Sequence, residues 1–229
     1  SKMSVAEDLS RRRGGRDARR ALRARPIPLD EAAVHPGMSG GKYKPLSDRD
    51  VHRINEAALE ILETVGLAQA IPSCVELLTA KGCRLNDQGR LLFPRSLVED
   101  TLATCAREFV LYARDPKHDM QPWDNKVYFG TAGAAVHIVE VETRTYRESY
   151  LADLYDAARI VDNCDNIHFF QRALTARDMI TGHDLDINTM YACLAGTSKH
   201  VGTSMVEPAH VDECLQMLHF IAGGEAKWR

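Results

Sequence analysis

Apolar residues recur along the first half of the chain with the period of a helix, and the rhythm changes near residue 148. After Ser47, the residues Val51, Ile54, Ala58, Ile61, Leu62 and Val65 fall three, four or seven apart or side by side. That spacing predicts an amphipathic helix with this stripe turned inward. Ser47 is a good N-cap, Asp50 at the third helical position completes a shortened capping box, and Gly66 is placed to end the helix. Pro72 opens a second, shorter helix that ends at Lys81-Gly82, and 85–93 reads as a hairpin around Asn86-Asp87-Gln88-Gly89. Pro94 opens a third helix, to about Ala106, with Leu97, Val98, Leu102 and Cys105 inward. Segments 109–113, 127–129 and 137–141 read as strands, so 47–147 is expected to be a mixed α+β region.

From Ser149 onward helix and strand alternate. Ser149 is the expected cap of a helix carrying Leu151, Leu154, Ala158 and Val161 on one face. A strand at 166–172, a helix at 185–195 and a strand at 200–205 follow. Pro208 then starts a helix with Val211, Cys214, Leu215, Leu218 and Ile221 inward, closed by Gly223-Gly224. This order predicts βα units on a parallel sheet. A parallel sheet buried on both faces does not stop at two strands without exposing an edge. The chain is therefore expected to be one part of a larger protein.

Composition adds little until it is mapped. The 229 residues are 45% hydrophobic and 27% charged, an ordinary globular balance. No apolar run approaches the roughly 20 residues that span a bilayer. The six cysteines (Cys74, Cys83, Cys105, Cys164, Cys193 and Cys214) are scattered without a CxxC pair, which suits buried thiols in a reducing, cytoplasmic compartment. The net charge of −3 is uneven. Residues 1–25 hold Lys2 and eight arginines against three acids, a balance of +6, which leaves −9 on the rest. Such an arm can dock an acidic partner or lie along its own subunit or an oligomer neighbour. Nucleic acid is disfavoured, because the body is acidic and no aromatic and basic residues interleave. Residues 26–46 are a Pro- and Gly-rich linker. The expected domains are thus 1–46 (arm and linker), 47–147 (α+β) and 148–229 (βα units).

Several segments in order carry a resemblance. They are Gly41-Lys42-Tyr43-Lys44-Pro45-Leu46-Ser47, Phe93-Pro94-Arg95, Leu111-Tyr112-Ala113-Arg114-Asp115-Pro116 and Phe129-Gly130-Thr131-Ala132-Gly133-Ala134-Ala135. Leu151-Ala152-Asp153-Leu154, Asp165-Asn166-Ile167-His168-Phe169-Phe170 and Gly196-Thr197-Ser198-Lys199 complete the set. Together they resemble the trimethylamine methyltransferase (MttB) family, in its large bacterial branch. The resemblance implies an α/β fold, a (β/α)8 TIM-type barrel of which only the first units are present, preceded by an α+β N-terminal extension. It implies transfer of a methyl group from trimethylamine, or from a quaternary amine such as glycine betaine, to the Co(I) centre of a corrinoid protein. The corrinoid (cobalamin) would come with that partner, with no cofactor bound directly by this chain, and the enzyme would be a homo-oligomer. Catalytic groups, including any pyrrolysine, would lie in the missing half. Two alternatives stand beside it: a family member with a different acceptor such as folate, and a non-catalytic assembly module that uses the Arg-rich arm.

Methyl transfer from nitrogen is a displacement, and a neutral amine leaves poorly, so the nitrogen must be protonated or quaternary when attacked. Its site needs orientation, shielding from water and a cation-tolerant wall. In a barrel such groups sit at the C-terminal ends of the strands. The expected substrate-binding set is therefore Gln171, Arg172 and Asp178 after the first strand, and Ser204 and Glu207 after the second. Thr131 and Gly133 join it from the glycine turn, where the backbone comes close to a ligand or to the barrel. The competing structural expectation is an Arg172–Asp178 ion pair and a Glu207 that only caps a helix. The glycine turn lacks both GxGxxG and a GK[ST] ending, which excludes a phosphate loop, and no cysteine–histidine spacing predicts a metal. Of Phe169 and Phe170, at most one can face the barrel interior.

Overall fold

The computed structural model describes Arg20, Ala21, Ala24 and Pro26–Trp228. The expectations for the Arg-rich arm lie, apart from those three residues, outside the described part. The described chain divides into two compact units, one formed by Ser39–Val110 and Gln121–Lys126, the other by the described residues up to Met38 together with 111–120 and 127–228. Short strands β1 (Met38–Ser39) and β4 (Lys126–Val127) pair with each other.

The first unit is built on α1 (Asp48–Thr64), α2 (Pro72–Thr79), the hairpin β2 (Arg84–Leu85) and β3 (Leu91–Leu92), and α3 (Arg95–Thr104). Ser47 caps α1 as expected, its Oγ accepting from the Asp50 N–H at 3.2 Å. Gly66 ends the helix with φ +65°, and a Cβ there would collide with the Leu91 carbonyl, so both conformation and space require glycine. The hairpin turn is tied by Asn86, whose Oδ1 accepts from the N–H groups of Gln88 and Arg90 at 3.0 and 2.9 Å. Leu67 bridges to Leu91 beside it.

Helix α1 corrects the expectation for its stripe. Ile54 and Ile61 are 58% and 55% exposed, Val51 and Val65 are also exposed, and Leu59 is the buried residue. The helix is turned so that its acidic side meets α3. The Arg95 guanidinium grips both Glu56 oxygens at 2.7 Å and Glu99 at 2.9 Å, and the Arg95 N–H reaches Glu63 at 3.3 Å. Two further inward expectations fail: Leu102 on α3 and Cys105 just past its end are exposed, while the contact of that helix with α1 is made by Arg95 at its start. The segment 109–113 is not a strand. Leu111 makes a single antiparallel bridge with Met120, and Asp119 Oδ1 takes the Ala113 N–H at 2.9 Å, which ends further pairing.

The second unit holds the hairpin β5 (His137–Val139) and β6 (Tyr146–Glu148), then α4 (Leu151–Asp162), β7 (Phe169–Gln171), α5 (Gly182–Gly196), β8 (His200–Gly202) and α6 (Val211–Ala222). β7 and β8 run parallel with Phe169 opposite His200, Phe170 opposite Val201 and Gln171 opposite Gly202. On the other side of β7, Gly130 bridges Phe169 and Ala135 bridges Leu174, again in parallel. The architecture is therefore mixed α/β with helices packed on one face of β7. Phe170, fully buried, sits among Leu154, Ala158 and Val161 of α4 and Ala192 and Cys193 of α5. The two helices touch at Gly196, where a Cβ would stand 2.5 Å from that of Ala158.

Ser149 does not cap α4, as had been expected. It is fully buried, and its hydroxyl is spent on the carbonyls of Thr175 (2.7 Å) and Ala135 (3.2 Å). The helix begins one residue later, with Asp153 accepting from the Tyr150 N–H at 2.8 Å. On α6, Cys214 is buried as expected, whereas Leu215 is exposed. Among the described residues no helix is long and apolar enough to cross a membrane.

Candidate functional site

The C-terminal ends of β7 and β8 gather most of the expected site residues. Alternation along β7 separates the two polar ones. Phe169 and Gln171 point to the face free of α4 and α5, while Arg172 follows Phe170 to the helical side. There its charge draws the Cys193 thiol down, against a larger upward push from burial that leaves that thiol at about 12. Among the described residues no carboxylate pairs with Arg172. The Arg172 N–H is given to the Gly202 carbonyl at 2.8 Å, fixing the end of the strand.

Two glycines flank β7 on its open face. A Cβ at Gly130 would run into the Phe169 ring, and one at Gly202 would run into the Gln171 carboxamide oxygen. Thr131 donates from its hydroxyl to the Gln171 carbonyl at 2.5 Å. Gly133 adopts φ +94° with nothing near its α-carbon side, so its glycine serves the turn. Thr131, Gln171 and Gly202 are thus brought together.

Asp178 is exposed and accepts from the Leu151 N–H at 2.8 Å, the first helical residue of α4. It stabilises that helix start and does not pair with Arg172. Ser204 is exposed after β8, and the Thr203 hydroxyl beside it is buried without a partner among the described residues. Glu207 precedes the turn Pro208–His210 but makes no side-chain cap; its carboxylate lies near Gly182 at the start of α5, 3.1 Å from where a Cβ would be.

The loop after β8 is held by residues that sequence inspection did not single out. Asp186 on α5 is buried, and its carboxylate accepts from the Val206 N–H (2.8 and 3.0 Å), the Glu207 N–H (3.2 Å) and His210 Nδ1 (2.7 Å). Burial alone would push this carboxyl up; the His210 and backbone bonds outweigh it and hold it below the usual range. His210 packs edge-to-face on His183, whose Nε2 meets Glu213 at 2.8 Å. The available signal was weak: a lone Asp in a helix and a His two residues past Pro208. Gly202, inside an expected strand, was the stronger hint, because a glycine there marks a close approach.

At the opposite ends of the strands the shared motifs prove structural. Lys199, 3% exposed, donates to the carbonyls of Val161, Cys164 and Ile167, each at 2.7 Å. Asp162 accepts from the Thr197 hydroxyl (2.8 Å) and the Ser198 N–H (2.6 Å). His168 is buried; its Nδ1 accepts from the Phe129 N–H at 2.9 Å, so Nε2 carries the proton. Burial, with Lys199 and His35 nearby, lowers its pKa. A cavity of about 190 Å³ lies here, lined in part by Met120, Ile167, His168 and Lys199. His137 is exposed and pairs through β5 with Glu148. Among the described residues no group of three or more His, Cys, Asp or Glu is placed to hold a metal.

Comparison with known proteins agrees with these motifs. The family model "Trimethylamine methyltransferase (MTTB)" matches residues 12–228. A trimethylamine methyltransferase MttB of Desulfitobacterium hafniense (strain DSM 10664 / DCB-2) is 27% identical over 184 residues, covering 80% of this chain and 37% of the relative. Trimethylamine methyltransferase MttB1 of Methanosarcina mazei is 26% identical over 167 residues, covering 71% and 34%. A glycine betaine methyltransferase of D. hafniense (strain Y51) is 21% identical over 184 residues, covering 80% and 38%. The chain thus spans little more than a third of the length of these relatives. With the family model covering nearly all of its residues, the chain belongs to the trimethylamine methyltransferase (MTTB) family.

Proposed function

We propose that this chain is part of a methyltransferase that removes a methyl group from a tertiary or quaternary methylamine and passes it to a corrinoid protein. The single observation that carries the proposal is the parallel arrangement of β7, β8 and the Gly130–Ala135 segment, helices on one face and Gln171 on the other, within a chain matched to this family. Residues 148–229 fit the first βα units of a TIM-type barrel, with 47–147 as its α+β extension. In that arrangement the ends of β7 and β8 open on the barrel mouth, where barrel enzymes place their substrates. A partner's reduced corrinoid supplies the cobalt nucleophile. This chain's share is to hold the methylated nitrogen in line, to keep water away and to orient the rest of the substrate. We place the protein in the cytoplasm as a homo-oligomer.

The test is a methyl-transfer assay on the full-length protein, with reduced cob(I)alamin as acceptor and a panel of methylamines and betaines as donors. Methylation of cobalt from at least one donor is the expected result. Failure with every donor, under conditions where an authentic family enzyme is active, rejects the proposal.

A further inference from the structure

The cavity at the N-terminal ends of β7 and β8 has no part in the function proposed above. It lies within one compact unit, and His168 and Lys199, the residues just before the two strands, form part of its wall. Leu29, Pro36, Met120 and Ile167 give it an apolar side. Its volume of about 190 Å³ exceeds the roughly 150 Å³ in which an apolar cavity takes up benzene, a ligand of six heavy atoms. One donor in the wall is unspent. His168 is 4% exposed, and its Nδ1 accepts from the Phe129 N–H at 2.9 Å, which puts the proton on Nε2. Nε2 is buried and has no partner among the described residues. A buried N–H without an acceptor is costly, so this one in a cavity wall points to an oxygen supplied from the cavity. The charges favour an anion. The Lys199 ammonium is buried on three carbonyls, with no carboxylate bonded to it among the described residues. Lys117 meets Asp115 at 2.9 Å and is largely exposed, which leaves it further N–H bonds to give. Of the two acids in the wall, Asp119 spends Oδ1 on the Ala113 N–H at 2.9 Å and Asp165 is exposed to solvent. Burial first, and lysine charge after it, lowers the pKa of both His118 and His168, as a positive potential does.

We infer that this cavity is a second ligand site, remote from the barrel mouth, for a small aliphatic carboxylate of about six heavy atoms. The carboxylate accepts from His168 Nε2 and faces Lys117, and the alkyl chain lies against Leu29, Pro36, Met120 and Ile167. Bound there, it braces the segment carrying Leu29 and Pro36 against the start of β7. The inference concerns binding at the far end of the strands and does not depend on methyl transfer.

The full-length protein would be titrated by calorimetry with butyrate, with its neutral amide butyramide and with butylammonium. Saturable binding of butyrate with a Kd of about a millimolar is expected, with butyramide weaker and butylammonium not bound. In His168→Asn the shorter amide still offers an oxygen to the Phe129 N–H but no donor at the Nε2 position, so the Kd for butyrate should rise about tenfold or more. Lys117→Met should weaken butyrate about twofold to fivefold and leave butyramide unchanged. Butyrate should slow amide exchange in residues 29–36, followed by mass spectrometry, and excess tetramethylammonium should not displace it. No saturable binding, butyramide or butylammonium binding as tightly as butyrate, displacement by tetramethylammonium, or a folded His168→Asn with wild-type affinity would overturn the inference. If His168→Asn does not fold, Lys117→Met decides: unchanged affinity for butyrate overturns the site, and a selective loss upholds it.

Discussion

His210 donates from Nδ1 to the buried carboxylate of Asp186 at 2.7 Å, and so ties the turn after β8 to α5. Removing the carboxylate strands two backbone N–H groups and one imidazole. Asp186→Ala is expected to cost roughly 2–4 kcal/mol, read by urea unfolding. Because the folded pKa lies below the unfolded value of about 3.9, the contribution is complete above that pH and fades as the pH falls through the folded value. The stability gap between wild type and Asp186→Asn should therefore hold from neutral pH down to about pH 4 and narrow as the pH falls further.

Lys199 makes a second buried knot. Its ammonium donates to three carbonyls, of which those of Val161 and Cys164 also accept the backbone N–H groups of Cys164 and Ile167. Lys199→Met keeps most of the volume and abandons all three, so a loss of roughly 2–4 kcal/mol is expected in the same unfolding measurement. An unchanged midpoint would mean that water replaces the ammonium.

Gly130 and Phe169 should couple. Gly130→Ala forces the Phe169 ring aside and is expected to destabilise by roughly 1–3 kcal/mol, as overpacking does. In the Phe169→Ala background the same change should cost much less. A double-mutant cycle with no coupling would show that the clash is relieved by backbone movement.

Thiol labelling should follow burial. Cys105 is exposed, whereas burial pushes Cys193 up to about 12 and also raises Cys83 and Cys214. With limiting iodoacetamide near pH 8, peptide mass spectrometry should find Cys105 modified first and Cys193 last. Early modification of Cys193 would argue for local opening of the α4–α5 core.

What the sequence made legible was mostly local. The Ser47 cap, the Asn86 turn and the buried Leu154, Ala158 and Val161 depend on neighbours within a few residues, so their patterns survive in one dimension. Long-range partners decided the rest. Ser149 looks like a cap until the Thr175 carbonyl, 26 residues on, claims its hydroxyl. Period three-to-four told that α1 has an apolar face, but could not say that Arg95 would pull the acidic face inward. At the site, the alternation that parts Gln171 from Arg172 could be read from spacing, whereas the notch at Gly202 needed the register with β8.

The contact between α1 and α3 should also respond to salt. The Arg95 hydrogen bond, ahead of its plain charge, holds the Glu56 carboxyl below its ordinary range, and the pair is partly exposed. Its stabilising effect is present above the unfolded carboxylate pKa and is lost as the pH falls through the folded one. Amide exchange of α1, followed by mass spectrometry, should quicken in 1 M salt or in Arg95→Ala. Equal protection in all conditions would mean that Leu59 anchors the helix unaided.

The outward stripe of α1 also reverses which substitutions this unit should tolerate. Ile54 and Ile61 look like core by their spacing, yet lysine at either meets open water within the unit. Glu56, an acid on a helix that a casual survey would treat as freely replaceable, is the position where a neutral or basic residue undoes the seam. A saturation scan of α1 would then draw an inverted map, permissive along the oily edge and intolerant along the acidic one.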